Sequence, residues 1–496
     1  MKRIFQFYLW IAVLVLPAAA APMNIVLFVA DDLSPTLGCY GDKAARTPNA
    51  DRLAAEGTLF RNAFCTTASC SASRSVILTG LHNHANGHYG HQHSYHKFGS
   101  YPSVQSLPVM LQRLGYRTAR IGKHHTAPEE VYFFETKLPG NGRSPVEMAE
   151  QSESFIKAGG KPFFLFFATT DPHRGGGLAA DLPDKPDLFG NKPRRGSHTN
   201  IKEVFYGPKD VPVPAFLPDT AAARAELAQY YQSVARVDQG LGRLIEILKA
   251  AGRLDDTLIA FTSDHGMAFP GAKTTVYEPG LRVPFIVRDP RLARRGIASD
   301  AMISLVDLTP TLLDAGGGWD VGTQSVKPAA LPLTAGSPKK GKGNVGAWPT
   351  AKLHGRSLLP ILGEKSATGW DAIYASHTFH EIQMYYPMRV VRDRKFKLIW
   401  NIAHPLPFPF ASDLWEAPTW QAQFKQGPKA PYGQKTVEAY IHRPAFELFD
   451  IAADPNEAHN LAADPKHAET LQLYKAKLKD FQVASQDPWI LKWDYE

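Results

Sequence analysis

Cysteine is scarce in this chain. Cys39, Cys65 and Cys70 are the only three among 496 residues, too few for a fold held by disulfides. Three is also an odd number, so at least one thiol needs another explanation. Cys39 and Cys65 either pair or pack as small buried hydrophobes, and both readings stay open. Beyond the N-terminus there is no apolar run long enough to span a bilayer, so no stable membrane insertion is expected. Blocks of like charge are missing too. The formal net charge is +8, but the basic residues are scattered, and the densest run, Lys339-Lys340-Gly341-Lys342, has the composition of a solvated loop. Nucleic acid is therefore not an expected partner. No internal repeat is present.

The chain opens on Lys2-Arg3, runs apolar from Ile4 to Leu16 with Gln6 as its one interruption, and continues through Pro17 into Ala18 to Ala21. A charged start, a short apolar stretch and small residues at the end make a secretory signal peptide over residues 1–21. The expected protein is exported, periplasmic or secreted. The remainder, in a chain 44% hydrophobic and 21% charged, has ordinary globular composition. Its length suits a large domain over 22–365 and a smaller one over 366–496.

Four apolar runs each end in polar residues: Ile25 to Ala30 before Asp31-Asp32, Ala119 to Ile121 before Gly122-Lys123, Phe163 to Ala168 before Asp171 and His173, and Leu258 to Thr262 before Asp264-His265. Short continuous apolar runs separated by helical patterns read as buried parallel strands. In such sheets the ligand site lies beyond the carboxyl ends of the strands, so the four polar clusters are expected to form one site. Leu227, Tyr230, Val234, Val237, Leu241, Leu244, Ile245 and Leu248 recur at spacings of three and four before Gly252. They predict a long amphipathic helix packed on the sheet. From Gly316 to Gly355 the chain is rich in Gly, Pro and Lys, an exposed insertion. After it, Arg389 to Arg392, Phe396 to Trp400 and Phe446 to Asp450 read as strands, and His467 to Phe481 as a helix. The fold class is thus α/β, a large mostly parallel sheet flanked by helices plus a small antiparallel sheet with a closing helix.

The most informative stretch is Cys70-Ser71-Ala72-Ser73-Arg74 followed by Ser75-Val76-Ile77-Leu78-Thr79-Gly80. If Ser71 to Thr79 forms a helix, Arg74 shares a face with residue 70 near the positive end of the helix dipole, which favours an anion there. Asp31 and Asp32 are adjacent carboxylates at a strand end, and two such groups repel unless a cation or a proton lies between them. Hard oxygen ligands favour calcium or magnesium. The stretch around Cys70 resembles the sulfatase signature C-x-P/A-x-R-x-x-x-L-T-G. The resemblance implies an alkaline-phosphatase-like sandwich, oxidation of Cys70 to formylglycine by a formylglycine-generating enzyme, and one calcium ion held by Asp31, Asp32, residue 70, Asp264 and His265. It also makes Gly122-Lys123-His124-His125 the G-K-x-H element, with Lys123 on the sulfate and His125 as the base that releases it, while His124 has no role. In Asp171-Pro172-His173-Arg174 it implies His173 as the acid for the leaving group, with Asp171 and Arg174 at the substrate. Lys273 becomes a second cation on the sulfate. One hydroxyl of the formylglycine hydrate attacks sulfur, and Arg74, Lys123, Lys273 and calcium spread the charge.

The resemblance covers essentially the whole chain after residue 21 and is strongest to the heparan N-sulfatases, or sulfamidases. It is carried by Pro218-Asp219-Thr220 through Val237-Asp238-Gln239-Gly240, by His380-Glu381-Ile382-Gln383-Met384-Tyr385-Tyr386-Pro387-Met388-Arg389, and by Glu447-Leu448-Phe449-Asp450 with Asp454-Pro455-Asn456-Glu457 and His459-Asn460-Leu461. The middle stretch implies that His380 and Glu381 reach the substrate from the C-terminal part. The implied partners are a sulfated saccharide, the maturation enzyme and a second copy in a homodimer. Two residues depart from that branch, Lys273 for arginine and His265 for asparagine, and both suit O-sulfatases. An O-sulfatase, a phosphatase or phosphonate hydrolase of the same superfold, and a non-catalytic binder of sulfated polysaccharide with Cys70 unmodified are the alternatives. Ala72 stands where proline is common and bears on which maturation system accepts the chain. The histidines His82, His84, His88, His91, His93 and His96 do not follow a zinc spacing and are expected to rim the pocket.

Overall fold

The run Asn24–Ala30 has no polar face, and all seven of its residues are buried. Only a strand covered on both sides satisfies such a pattern over so short a length. The computed structural model describes residues 22–175, 188–191, 198–331 and 352–494. The signal peptide, the Lys339 to Lys342 run and residues 332–351 of the insertion lie outside the described residues.

Eight strands form the main sheet in the order Ile297–Ser304, Thr58–Phe64, Phe285–Arg288, Thr257–Ser263, Asn24–Ala30, Phe163–Ala168, Arg117–Gly122, Thr136–Lys137. All run parallel except Phe285–Arg288. Register matters most for the site. Val29 pairs with Ala168 and with Thr262, and Ala168 with Gly122. Four strands therefore end level with one another, and the polar residues that follow leave from a single rim. Backbone bonds tie the rim: Asp31 N donates to the Asp171 carbonyl at 3.1 Å, Asp264 N to Ala30 at 3.1 Å, and Lys123 N to Ala168 at 2.8 Å.

The predicted long helix spans Ala221–Ala250, capped by Thr220, whose hydroxyl accepts from Ala223 N at 3.1 Å. Every expected apolar position except Ile245 is buried, and between Glu226 and Gly242 only Gln229 and Gln239 are not, so the middle of the helix is enclosed on nearly all sides rather than along one stripe. Gly252 follows at φ +65°, a left-handed position that suits glycine and lets the chain leave the helix. The second sheet is antiparallel, Ala372–His377, Met388–Asp393, Phe396–Asn401 and Phe446–Asp450. Helix Ala468–Ser485 packs on it through Tyr474 and Leu478. All three cysteines are free, so Cys39 and Cys65 do not pair.

Two of the six clustered histidines leave the pocket region and fill the seam between this closing helix and the main body. His82 and His84 stack at 5.7 Å and pack against Phe481. Burial lowers His82 to about 3, His84 to about 4, and His377, on the second sheet, to about 3. Folding therefore holds these three rings neutral where the unfolded chain, with ordinary histidines, takes up protons. Below about pH 6.5 the unfolded state binds more protons, so stability is present above that pH and is lost as pH falls, at roughly 1 kcal/mol per histidine per pH unit. Urea midpoints at pH 7 and pH 5.5 check this; the expected result is a clear fall, reduced in a His82→Asn variant.

Candidate active site

Helix Cys70–Thr79 starts directly after the extended residue Ser69, whose hydroxyl meets His380 Nδ1 at 2.9 Å, and ends on Gly80 at φ +66°. All ten of its side chains are buried. Cys70 lies in the first turn, and the segment enters so deep that its polar residues need partners inside the protein. Arg74 has them: Nη2 donates to Asp31 Oδ1 at 2.9 Å, Nε to Asp264 Oδ2 at 3.0 Å, and Nη1 to the Lys123 carbonyl at 2.9 Å. Its guanidinium thus joins three strand ends.

Asp32 takes a left-handed backbone, φ +62°, which turns its carboxylate toward the helix start. Oδ1 lies 3.1 Å from His265 Nε2 and 3.8 Å from Cys70 Sγ, and Sγ lies 3.4 Å from the same His265 nitrogen. On the other side Asp31 Oδ2 meets Lys123 Nζ at 2.5 Å. Among the described residues three groups have their ligand atoms within 4.8 Å of one another: His91 with His93 and His125, and, at the helix start, Asp32 with Cys70 and His265 and Asp31 with Cys70 and Asp264. Residue 70 is common to the last two.

Electrostatics separate these groups. Burial alone would raise Asp31, but Lys123, His173 and Arg74 outweigh it and hold the carboxyl well below the usual range. Burial pushes Asp264 up to about 6 although Arg74 opposes it. Three carboxylates that converge on residue 70 in one buried volume fit a hard divalent cation, with oxygen the dominant donor. Burial also drives the Cys70 thiol well up, despite Lys123 and Lys273. Unmodified Cys70 is therefore a protonated thiol and a poor nucleophile.

Around this centre lie the other residues singled out in the sequence. His125, at φ +56°, meets His93 Nδ1 at 2.8 Å through Nε2, and its buried Nδ1 has no partner among the described residues. Burial and the Lys123 charge lower its pKa well below the ordinary value, leaving a neutral base. His173 Nε2 is 3.2 Å from Lys273 Nζ and 3.9 Å from Asp32 Oδ2. His380 packs its ring 3.8 Å from His91, and Glu381 accepts from Ser412 Oγ at 3.0 Å. Among the described residues the His124 ring bonds Thr126 alone, at 3.0 Å, and packs against Tyr132 and Phe134. His88 turns inward to accept from Ala127 N at 3.3 Å, so only His91, His93 and His96 of the clustered histidines stand near His125.

Asp171 and Arg174 are both held in buried ion pairs. Asp171 is fully buried, with Oδ2 bound by Arg236 Nε at 2.8 Å and Oδ1 by Arg143 Nη1 at 2.9 Å. Arg174 is buried between Phe189 and Phe269, and pairs with Glu226 Oε1 at 2.6 Å. Both brace the loop that carries His173, and Arg174 Nη2 is buried with no hydrogen-bond partner among the described residues. Arg236 was legible only as a polar interruption of a helix stripe. Asp413, which pairs with Lys273 Nζ at 2.9 Å, carries no local signal.

The Sulfatase family model matches residues 23–318. Human N-sulphoglucosamine sulphohydrolase is 38% identical over 95% of this chain and 92% of its own length. An ulvan-active sulfatase of Formosa agariphila is 27% identical over 90% of this chain and 76% of its own length. Among solved structures, a protein in complex with its substrate D-glucosamine-2-N,6-O-disulfate superposes with a TM-score of 0.64 at 22% identity, covering 94% of this chain and 99% of that one. A phosphonate monoester hydrolase of Agrobacterium radiobacter reaches the same TM-score, 0.64, at 20% identity, covering 93% and 96%, so the superposition alone speaks to fold and not to chemistry. With a signature helix that sets Cys70 between two carboxylate groups, a family model spanning most of the chain and a relative similar almost end to end, the protein belongs to the sulfatase family.

Proposed function

We propose that this protein is an exported sulfamidase that removes the N-sulfate of terminal glucosamine in heparan sulfate or heparin fragments, with formylglycine made from Cys70 and one calcium ion. Residues 22–365 carry the chemistry and 366–496 complete the pocket. The observation that carries the reading is the position of residue 70, shared by both carboxylate groups and flanked by Lys123 and Lys273. The name of the human relative and the N-sulfated ligand of the solved neighbour support the sugar. No helix among the described residues is long and apolar enough to cross a membrane, in keeping with export.

Asp31, Asp32, Asp264 and His265 are the residues to hold calcium, which when bound supplies positive charge to a sulfate oxygen. Formylglycine supplies, as its hydrate, an oxygen nucleophile with a second hydroxyl. Lys123 and Lys273 reach the same volume from opposite sides, and Arg74 orients Asp31 and Asp264. Neutral His125 accepts the proton when sulfate is released. His173, next to Lys273, is placed to protonate the leaving atom once the substrate's anionic charge offsets that ammonium.

Sulfate release from N-sulfoglucosamine and from glucosamine 6-O-sulfate, by protein co-expressed with a formylglycine-generating enzyme, tests the reading. Release from the first alone is expected. Release from the second alone would move the protein to the O-sulfatases, in line with Lys273 and His265. Removal of divalent ions with a chelator is expected to lower the rate by about 100-fold or more, and added calcium to restore it, since one lost charge at the reacting group typically costs that much.

A further inference from the structure

The buried Lys273 ammonium has three neighbours: Asp32 Oδ2 at 3.3 Å, His173 Nε2 at 3.2 Å and Asp413 Oδ2 at 2.9 Å. Asp32 and His173 follow strands of the main sheet. Asp413 does not; it belongs to the short helix Ser412–Trp415 beyond the second sheet's first three strands. That helix is fixed in place. Ser412 Oγ donates to Glu381 Oε1 at 3.0 Å, Gln383 Nε2 donates to Glu381 Oε2 at 2.5 Å, and Ala411 and Leu414 pack with Ala268 and Met384. The Asp413 side chain keeps 21% exposure and that of His173 23%, where Lys273 keeps 1% and Asp32 none, so Asp413 and His173 are the two partners that face the open side of the pocket. Among the described residues Asp413 Oδ1 makes no hydrogen bond.

Lys273 satisfies Asp413 Oδ2, but the second oxygen, beside the place where a sulfate anion must enter, is favourable there only against a further donor or positive charge. A sulfamate offers both in turn. The bridging nitrogen carries a hydrogen. When the S–N bond breaks, the electron pair stays on nitrogen, His173 donates one proton to it, and the free amine takes a second from water to become ammonium. A sulfate ester has a bridging oxygen without hydrogen and leaves as a neutral alcohol. We infer that Asp413 is a specificity-determining residue that accepts the N–H of the sulfamate leaving group and then pairs with the ammonium product. The inference rests on the N-sulfate reading above. A site built to accept from a substrate N–H discriminates against the analogue that lacks it, because a bound substrate covers the Asp413 Oδ1 acceptor and leaves it without a donor.

The test compares wild type with Asp413→Asn and Asp413→Ala, matched for formylglycine content by mass spectrometry and for folding by thermal melting. The substrates are N-sulfoglucosamine and an aryl sulfate, whose leaving oxygen bears no hydrogen. The ratio of kcat/KM on N-sulfoglucosamine to kcat/KM on the aryl sulfate is expected to fall about 30-fold or more, any loss through Lys273 being common to both substrates. Inhibition by glucosamine should weaken about tenfold while that by N-acetylglucosamine, which has no ammonium, stays as it was. Equal falls on both substrates would mean that Asp413 only holds Lys273, and no fall on either would remove it from the reaction; each overturns the inference and leaves the N-sulfatase reading intact. A wild type that cleaves the O-sulfates and never N-sulfoglucosamine would instead overturn that reading itself.

Discussion

Cys70→Ala is expected to abolish sulfate release, by at least about 10⁴-fold, because no other side chain in the site can replace an oxygen nucleophile that forms and then releases a covalent sulfate. The fold should survive. Cys70 makes only weak contacts, at 3.4 Å to His265 and 3.8 Å to Asp32, and alanine leaves a small gap at the helix start. The same reasoning makes unconverted wild-type protein inactive, since burial keeps its thiol protonated at neutral pH. The measurement is sulfate release against the fraction of residue 70 present as aldehyde by intact mass. Activity proportional to that fraction is expected, and activity in protein that is all thiol would overturn the nucleophile assignment.

Arg74→Met is expected to damage both stability and rate, the second largest effect. It removes the one cation that bridges Asp31 and Asp264 and leaves two buried carboxylates facing each other. Breaking a buried pair by removing one partner typically costs about 3–5 kcal/mol, since the remaining charge keeps its desolvation penalty. Calcium should recover part of the loss by taking over the same oxygens. The check is a thermal melt with and without calcium. A double variant, Arg74→Met with Asp264→Asn, should be less destabilised than the single one, because the repelling carboxylate is gone. An Arg74→Met protein as stable as wild type without calcium would show that the pairing contributes little. Its rate should fall by about 100-fold or more even where it folds, as Asp31 and Asp264 lose their common orienting group.

Much of this architecture was legible locally. Apolar runs such as Ile25 to Ala30 and Leu258 to Thr262 admit no solvated face, so they had to be interior strands, and the polar pairs after them had to gather at one edge. The stripe from Leu227 to Leu248 pointed to the helix, though not to the burial of nearly every face over its middle. The signature after Cys70 identified the reacting residue without any geometry.

What the sequence could not reveal is which polar residues at that edge face the ligand and which are consumed by the protein. Asp31 and Asp171 both follow buried strands; Asp31 has a second carboxylate beside it, but nothing near Asp171 shows which group it meets. Asp31 opens onto the Cys70 site, whereas Asp171 is enclosed by Arg143 and by Arg236, which arrives from the middle of a helix 65 residues onward. His82 and His84 share a histidine-rich segment with His91 and His93, yet a short helix turns the first pair into the seam against Phe481. Asp413 reaches Lys273 across 140 residues. Strand, helix and signature follow from short-range periodicity and steric preference, which each segment carries within itself. The partner of a buried charge depends on which distant group the packed elements bring within about 3 Å, and that is decided only when the chain has folded.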